Sequence, residues 1–307
     1  MTILVPLLVS VITAATPLLL AALGELVTER AGVLNLGVEG MMLVGAISAF
    51  AAMTLTGSPA LAMLAGAAAG AAMAGLFGVL TLSLTSNQVA TGLALTLFGL
   101  GLSALMGANF VGHPIAPLAK LDIPGVSDLP VVGPLLFGHD ALVYLSVAMT
   151  AGVAWFLHRT RAGLILRGVG EADGSAHSIG YDVLRIRYLA VLFGGAMAGL
   201  GGAYLSLAYT PMWVEGMTAG RGWIALALVV FAGWRPWRVL AGAYLFGGVT
   251  VLQLYAQGSG LTLVPTQFLA MLPYLATILV LVLMSSGSAR RRLAAPACLG
   301  KPFRPAA

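Results

Sequence analysis

The chain has 307 residues, of which 60% are hydrophobic and only 8% charged, and its mean hydropathy is +1.00. A soluble domain carries about 25% charged residues, so this composition cannot cover a water-facing surface and implies an integral membrane protein. The net charge of +5 is accounted for by arginines in loops and is not the footprint of a nucleic-acid binder, and a single cysteine, Cys298, excludes an intrachain disulfide.

The apolar runs are continuous and about twenty residues long, which suits membrane helices and not the alternating ten-residue strands of a barrel. Nine spans are expected, at about 3–23, 36–56, 60–82, 88–108, 141–158, 188–208, 220–233, 239–257 and 264–284. The first has neither a basic leader nor a small-residue cleavage site and reads as a retained span. The seventh is short, and is read as broken or tilted. Forty glycines suit close helix packing in lipid. The whole chain, 1–307, reads as a single polytopic membrane domain. The stretch 109–140, with prolines at 114, 117, 124, 130 and 134, reads as an irregular outer loop. The tail 285–307 is basic and is expected to lie on the membrane surface or on a partner.

The longest polar interruption is 159–187, which holds five arginines. Clustered arginines in a short loop stay cytoplasmic. Alternation from that point puts thirteen Lys/Arg inside and only Lys120 and Arg221 outside, with the N-terminus outside and the C-terminus cytoplasmic.

An internal repeat is visible. Val38-Glu39-Gly40-Met41 recurs as Val214-Glu215-Gly216-Met217, and Leu64-Ala65-Gly66-Ala67 as Leu240-Ala241-Gly242-Ala243, both 176 residues apart. The repeat pairs spans 1–4 (about 3–108) with spans 6–9 (about 188–284) and leaves one connecting span and the loop to 187 between them. An odd connector inverts the second unit. The expected fold is therefore an all-α membrane protein with an inverted repeat, an architecture of transporters with the substrate path at the repeat interface.

The segment 25–40 breaks the apolar pattern and carries Glu25, Glu29, Arg30, Asn35 and Glu39. Glu25, Glu29 and Arg30 read as loop charges in the head-group region. Asn35 and Glu39 either line the path or cap a broken helix. Asn87, Gln88 and Thr91 open the fourth span, as path residues or as an ordinary helix cap. Trp213 and Glu215 in the second repeat are further path candidates, although Trp213, Trp223 and Trp234 also fit interface belts. Asn109, Arg221, Gln253, Gln257 and Gln267 complete the polar set. A carboxylate at depth needs a partner, hydration or backbone N–H groups. Glu39 is expected near the inner side and Glu215 near the outer side, with Arg221 a partner for Glu215. If the glutamates are caps, a Gln substitution should keep most activity. The four histidines have no metal-ligand spacing. No Walker A sequence and no nucleophile–base pair occurs, so the chain is not expected to be an enzyme, to hydrolyse ATP or to bind a cofactor.

The sequence E-R-A-G-V-L-N-L-G-V-E-G-M-M-L-V-G-A at 29–46, S-N-Q-V-A-T-G-L-A-L-T at 86–96 and L-R-G-V-G-E-A-D-G-S-A-H-S-I-G-Y-D-V at 166–183 resemble the inner-membrane permeases of ABC importers for branched-chain amino acids, ribose and nucleosides, closest to the simple-sugar/nucleoside branch. Two departures stand out. Ala172-Asp173 replaces a usual Asn-Pro, and Tyr181-Asp182 a usual Ile-Asn or Ile-Asp. The resemblance implies a cytoplasmic ATPase that uses the ATP, a second paralogous permease in a heterodimer, an extracytoplasmic solute-binding protein and a place in the bacterial inner membrane. It also implies that Gly170, Glu171, Asp173, Ala176, Gly180 and Asp182 belong to the helix that docks on the ATPase. From the residues alone, Glu171 and Asp173 suit the start of a short helix and Gly180 its left-handed end. The rival reading is an ion-driven secondary carrier, for which only Glu39 and Glu215 offer buried ionisable groups.

Overall fold

A computed structural model describes residues 4–121, 133–258 and 295–304, together with isolated residues between 268 and 282. Its helices are α1 (Leu4–Arg30), α2 (Val38–Thr56), α3 (Pro59–Gly78), α4 (Gln88–Gly107), α5 (Ala141–Arg159), α6 (Arg161–Glu171), α7 (Asp173–Ser178), α8 (Val183–Tyr204), α9 (Arg221–Phe231) and α10 (Pro236–Gly258). α3 and α8 run on into π-helical turns at Val79–Ser83 and Leu205–Tyr209. Seven of the described helices are long and apolar enough to cross a membrane. Of the nine expected spans, the run at 220–233 appears as the 11-residue α9, about 16 Å long and half of a hydrocarbon core of about 30 Å. The run at 264–284, Gln267 and much of the basic tail lie outside the described residues.

Local sequence sets most helix starts. The Asn87 side chain accepts from the Ala90 N–H at the head of α4, Asp140 from Leu142 and Val143 at α5, Thr160 from Gly163 at α6, and Asp182 from Arg185 at α8. Desolvation raises the Asp140 carboxyl above its usual range, against the pull of those backbone N–H groups. α9 begins after Gly220 with no side-chain cap of its own. Among the described residues of the expected outer loop, isolated bridges join Val111 to Trp213 and Pro114 to Met212, and Gly133–Phe137 forms a π-helical turn.

The core is α8 packed against α1, α2 and α3. Backbones meet there because glycines face one another. A Cβ on Gly45 would overlap Gly199, one on Gly70 would overlap Gly195, and one on Gly24 would lie 2.7 Å from the Gly194 carbonyl. Small residues at such crossings let dispersion contacts accumulate in lipid, where no hydrophobic force pulls helices together.

One expectation about the inner ends of the spans is corrected. α1 does not stop near residue 23; it continues to Arg30, so Glu25 and Glu29 are buried in protein and not placed among head groups. Within 159–187 a short helix is expected, and α7 is present there, preceded by a second helix, α6.

The glycine crossings make a direct prediction. Gly199→Leu must separate α8 from α2 and α3, at a cost of about 1–3 kcal/mol or more, and should lower the thermal midpoint and the monodisperse fraction in size-exclusion chromatography of detergent extracts. Gly101→Leu, with open space around its Cβ position, should leave both unchanged.

Candidate functional site

α1 ends at Arg30, and the chain then turns back along it. The Asn35 N–H donates to Glu25 Oε1 at 3.1 Å, although Glu25 lies more than a turn before the end of α1. The returning strand-like piece 33–37 has no ladder partner, so side chains satisfy it. Gln88 Oε1 accepts from the Leu34 N–H, Asn35 Oδ1 from the Gly37 N–H, and Thr96 Oγ1 donates to the Leu36 carbonyl. Non-helical backbone at membrane depth requires this kind of internal bracketing. α2 therefore starts well inside the bundle.

Glu39 sits in the first turn of α2 and reaches across to α9. Its Oε1 accepts from Thr218 Oγ1 at 2.6 Å and from the Gly220 N–H at 2.8 Å, and its Oε2 accepts from the Gly222 N–H at 2.6 Å. The carboxylate thus supplies the cap that α9 lacks, at the positive end of the helix dipole. Gly222 permits the approach, since a Cβ there would lie 2.6 Å from the Glu39 backbone. At its other end α9 returns to α1. Trp234 Nε1 donates to Glu29 Oε2, and the Arg30 guanidinium donates to the Trp234 carbonyl at 3.0 Å. Glu39 and Arg30 are therefore separated by roughly the length of α9, about 16 Å. Glu39 lies the length of α9 away from the Arg30 end and not beside it.

The other path candidates scatter. Asn35 and Gln88 bracket the 33–37 segment, Asn87 caps α4, and the Thr91 hydroxyl meets that of Ser86 at 2.9 Å. Trp213, 1% exposed, does not belong to an interface belt; it packs against Ala46, Ile47 and Phe50. Trp234 is likewise buried by its bond to Glu29. Glu215 is exposed, and its expected partner turns elsewhere: Arg221 donates to the Met217 and Thr218 carbonyls and lies over the Tyr209 ring. The two glutamates of the repeat are thus not equivalent, one on a helix and one in a turn.

The stretch from α6 to α8 has its own architecture. Glu171 ends α6, and Asp173 opens α7. Gly180, at φ 96°, takes the left-handed turn that closes α7. Gly170 packs against the Arg30 carbonyl, and Ala176 is buried with Val169, Val183 and Phe303. The outward face is small and polar around Gly174 and Ser178, with Ile179 standing out from it at 74% exposure. Sequence reasoning did not single out Ile179.

Arg187 was missed as well. It is fully buried at the start of α8, bonding the Ala31 carbonyl at 3.1 Å, the Lys301 carbonyl at 3.3 Å and Asp173 Oδ2 at 3.0 Å. The described tail, 295–304, packs against this chain's own helices. The Cys298 N–H donates to the Gly170 carbonyl, Gly300 to Gly32, and Phe303 packs edge-on to His177. Gly32, at φ 87°, makes the turn that admits Arg187 and Cys298. One signal for Glu39's partners was available in the sequence. T-A-G-R-G at 218–222, just before an apolar run, is a glycine-rich entry to a helix that invites an anion.

The profile of the branched-chain amino acid transport system / permease component family matches residues 7–284. The chain belongs to this permease family. It is 45% identical over 309 residues to the "Putative glucose ABC transporter permease protein TsgC13" of Haloferax volcanii, covering 94% of each chain. It is 33% identical over 282 residues to the guanosine ABC transporter permease protein NupQ of Bacillus subtilis, covering 87% of this chain and 88% of that one. It is also 33% identical over 281 residues to the nucleoside ABC transporter permease protein NupC of Lactococcus lactis subsp. cremoris, covering 88% and 89%. No solved structure matches. In this chain the buried carboxylate of Glu39 meets three donors at the entry to α9, from Thr218, Gly220 and Gly222.

The Glu39 geometry revises the expected effect of an amide. Both carboxylate oxygens accept, so Glu39→Gln turns an NH2 toward an N–H at one of them. The variant should lose about 1–3 kcal/mol, seen as a lower thermal midpoint of the purified permease, and Glu39→Leu should lose more. Wild-type midpoints in both would remove the capping role.

Proposed function

We propose that this chain is one of two paralogous permease subunits of an ATP-driven importer in a cell membrane. It would line the path for a simple sugar or a nucleoside, delivered by an extracytoplasmic binding protein and driven by a separate cytoplasmic ATPase. The observation that carries this reading is the near full-length similarity to permeases of glucose, guanosine and nucleoside ABC transporters. Haloferax volcanii and Bacillus subtilis each have two such proteins that match this chain, which favours a heterodimer. ATP acts at the partner; this chain supplies a path and a handle.

The handle is α7. A short helix between α6 and α8, with the exposed Ile179 at its closing turn, suits insertion into a cleft of the ATPase. Arg187 and the 295–304 segment make α7 rigid with the end of α1, and Arg30 carries that end to α9. A push on α7 would thus reach the α9–Glu39 junction at mid-depth. The loop side is then cytoplasmic, in keeping with the arginine distribution.

An inverted repeat is supported by matching lengths and contacts. α1 and the α8–π unit both have 27 residues. α3 meets α8 at Gly70 and Gly195, and α10 meets α1 at Gly247 and Ala15, the same pairing with the two units exchanged. An ion-driven carrier finds less support, because three donors already occupy the carboxylate of Glu39 and Glu215 lies exposed in a turn.

Proteoliposomes holding this chain, its partner permease, the ATPase and the binding protein should accumulate radiolabelled glucose or guanosine only with ATP, and a protonophore should not prevent it. Uptake that follows the proton gradient at constant ATP would overturn the importer reading.

Within that complex, Ile179→Asp and Glu171→Lys should abolish uptake while the permease stays folded in the membrane. Phe303→Ala should free the tail, raise maleimide labelling of the buried Cys298 at least tenfold in opened vesicles, and lower solute carried per ATP hydrolysed. An unchanged ratio with faster labelling would make the tail a bystander.

A further inference from the structure

A groove of about 290 Å³ runs between α5 and α8, with Val27 of α1 as its floor and Leu166 of α6 at one end. Gly152, Phe156, Leu189 and Phe193 form its walls, and almost nothing polar faces it. The end closed by Leu166 is the end where charge gathers. The next residue on α6 is Arg167, whose Nε is buried and has no hydrogen-bond partner among the described residues. Arg167 and Arg235 each lie within electrostatic reach of Arg30 and of His158. Glu171 acts on Arg30 as a counter-charge, and Arg30 is engaged with the Trp234 carbonyl. The cluster therefore keeps an excess of positive charge around Arg167, one residue beyond the Leu166 end of the apolar slot.

We propose that this slot and cluster hold one anionic phospholipid of the leaflet on the α6–α7 side, with an acyl chain along α5 and its phosphate at Arg167 and Arg235. Three features converge on that occupant. The slot is open to the side and has the chemistry of a hydrocarbon chain. α6 is an amphipathic helix, burying Gly163, Leu166 and Val169 while leaving Leu164 exposed, as a helix lying in the membrane interface does. The phosphate would satisfy the orphaned guanidinium nitrogen, and basic pockets between spans on the cytoplasmic side select anionic head groups. The site does not depend on the importer reading, only on the chain lying in a bilayer. It links the lipid to α6, which leads directly into α7.

Native mass spectrometry of the purified, assembled transporter tests it, with phosphatidylglycerol and phosphatidylcholine of equal chain length as probes. Wild type should retain phosphatidylglycerol at least tenfold more tightly. Arg167→Gln and Arg235→Gln should each weaken phosphatidylglycerol several-fold and leave phosphatidylcholine alone. Gly152→Leu fills the slot without a clash, since nothing lies within 4 Å of its Cβ position, and should weaken both lipids while the thermal midpoint of the delipidated protein stays put. Equal retention of the two lipids by wild type, or unchanged phosphatidylglycerol retention in Gly152→Leu, would reduce the groove to ordinary annular contact. Retention by the isolated chain that vanishes on pairing with the second permease would give the groove to that subunit instead.

Discussion

The carboxylate of Glu39 on the open end of α9 is the contact on which the interior depends. α9 is too short to cross a bilayer, so its N-terminal N–H groups end within the bundle. An uncapped helix end there would strand several donors at a cost of about 1–3 kcal/mol each. A lone carboxylate at the same depth would be equally costly. Each problem solves the other. The solution also fixes geometry, because three donors from Thr218, Gly220 and Gly222 hold α2 and α9 end to end.

That junction sets the rest of the bundle. For α2 to begin at this depth, residues 33–37 must climb beside α1 without helical bonds. Glu25 of α1, Gln88 and Thr96 of α4, and Asn35 of the segment itself provide those bonds. Most polar residues that looked like path linings thus hold backbone in place. They are polar because the backbone is broken, and the backbone is broken where two half-buried helix ends meet.

A second junction organises the opposite end of α9. Arg30 ties α9 to α1, and Arg187 ties the turn after α1 to Asp173 at the head of α7 and to the tail. A fully buried guanidinium is tolerable because its donors are shared among three segments. Such a cross-brace resists independent movement of any one of them, which is the mechanical property a coupling element needs. The glycine crossings of α8 with α2 and α3 supply the matching stiffness in the membrane.

Much of this was legible in the sequence. Hydropathy located the seven long helices to within a few residues, except at the inner end of α1, because apolar runs of that length have one stable form in lipid. Asn87 was legible as a cap, and Gly180 as the end of α7, because caps and left-handed turns are local chemistry. The motifs at 29–46 and 166–183 pointed to the family. What the sequence could not decide is who meets whom. Glu25 and Glu29 read as interfacial because polarity is local information, whereas burial depends on α9 and Trp234 lying alongside, more than two hundred residues away. Glu39 was legible as a cap or a path residue, but that its donors are the Thr218 hydroxyl and the Gly220 and Gly222 N–H groups depends on a segment about 180 residues away. Arg187 and the tail were unremarkable in sequence because a cross-brace exists only after its three segments have folded together. Tertiary structure decided these points, for the physical reason that a buried polar group is defined by its partners and not by its neighbours in the chain.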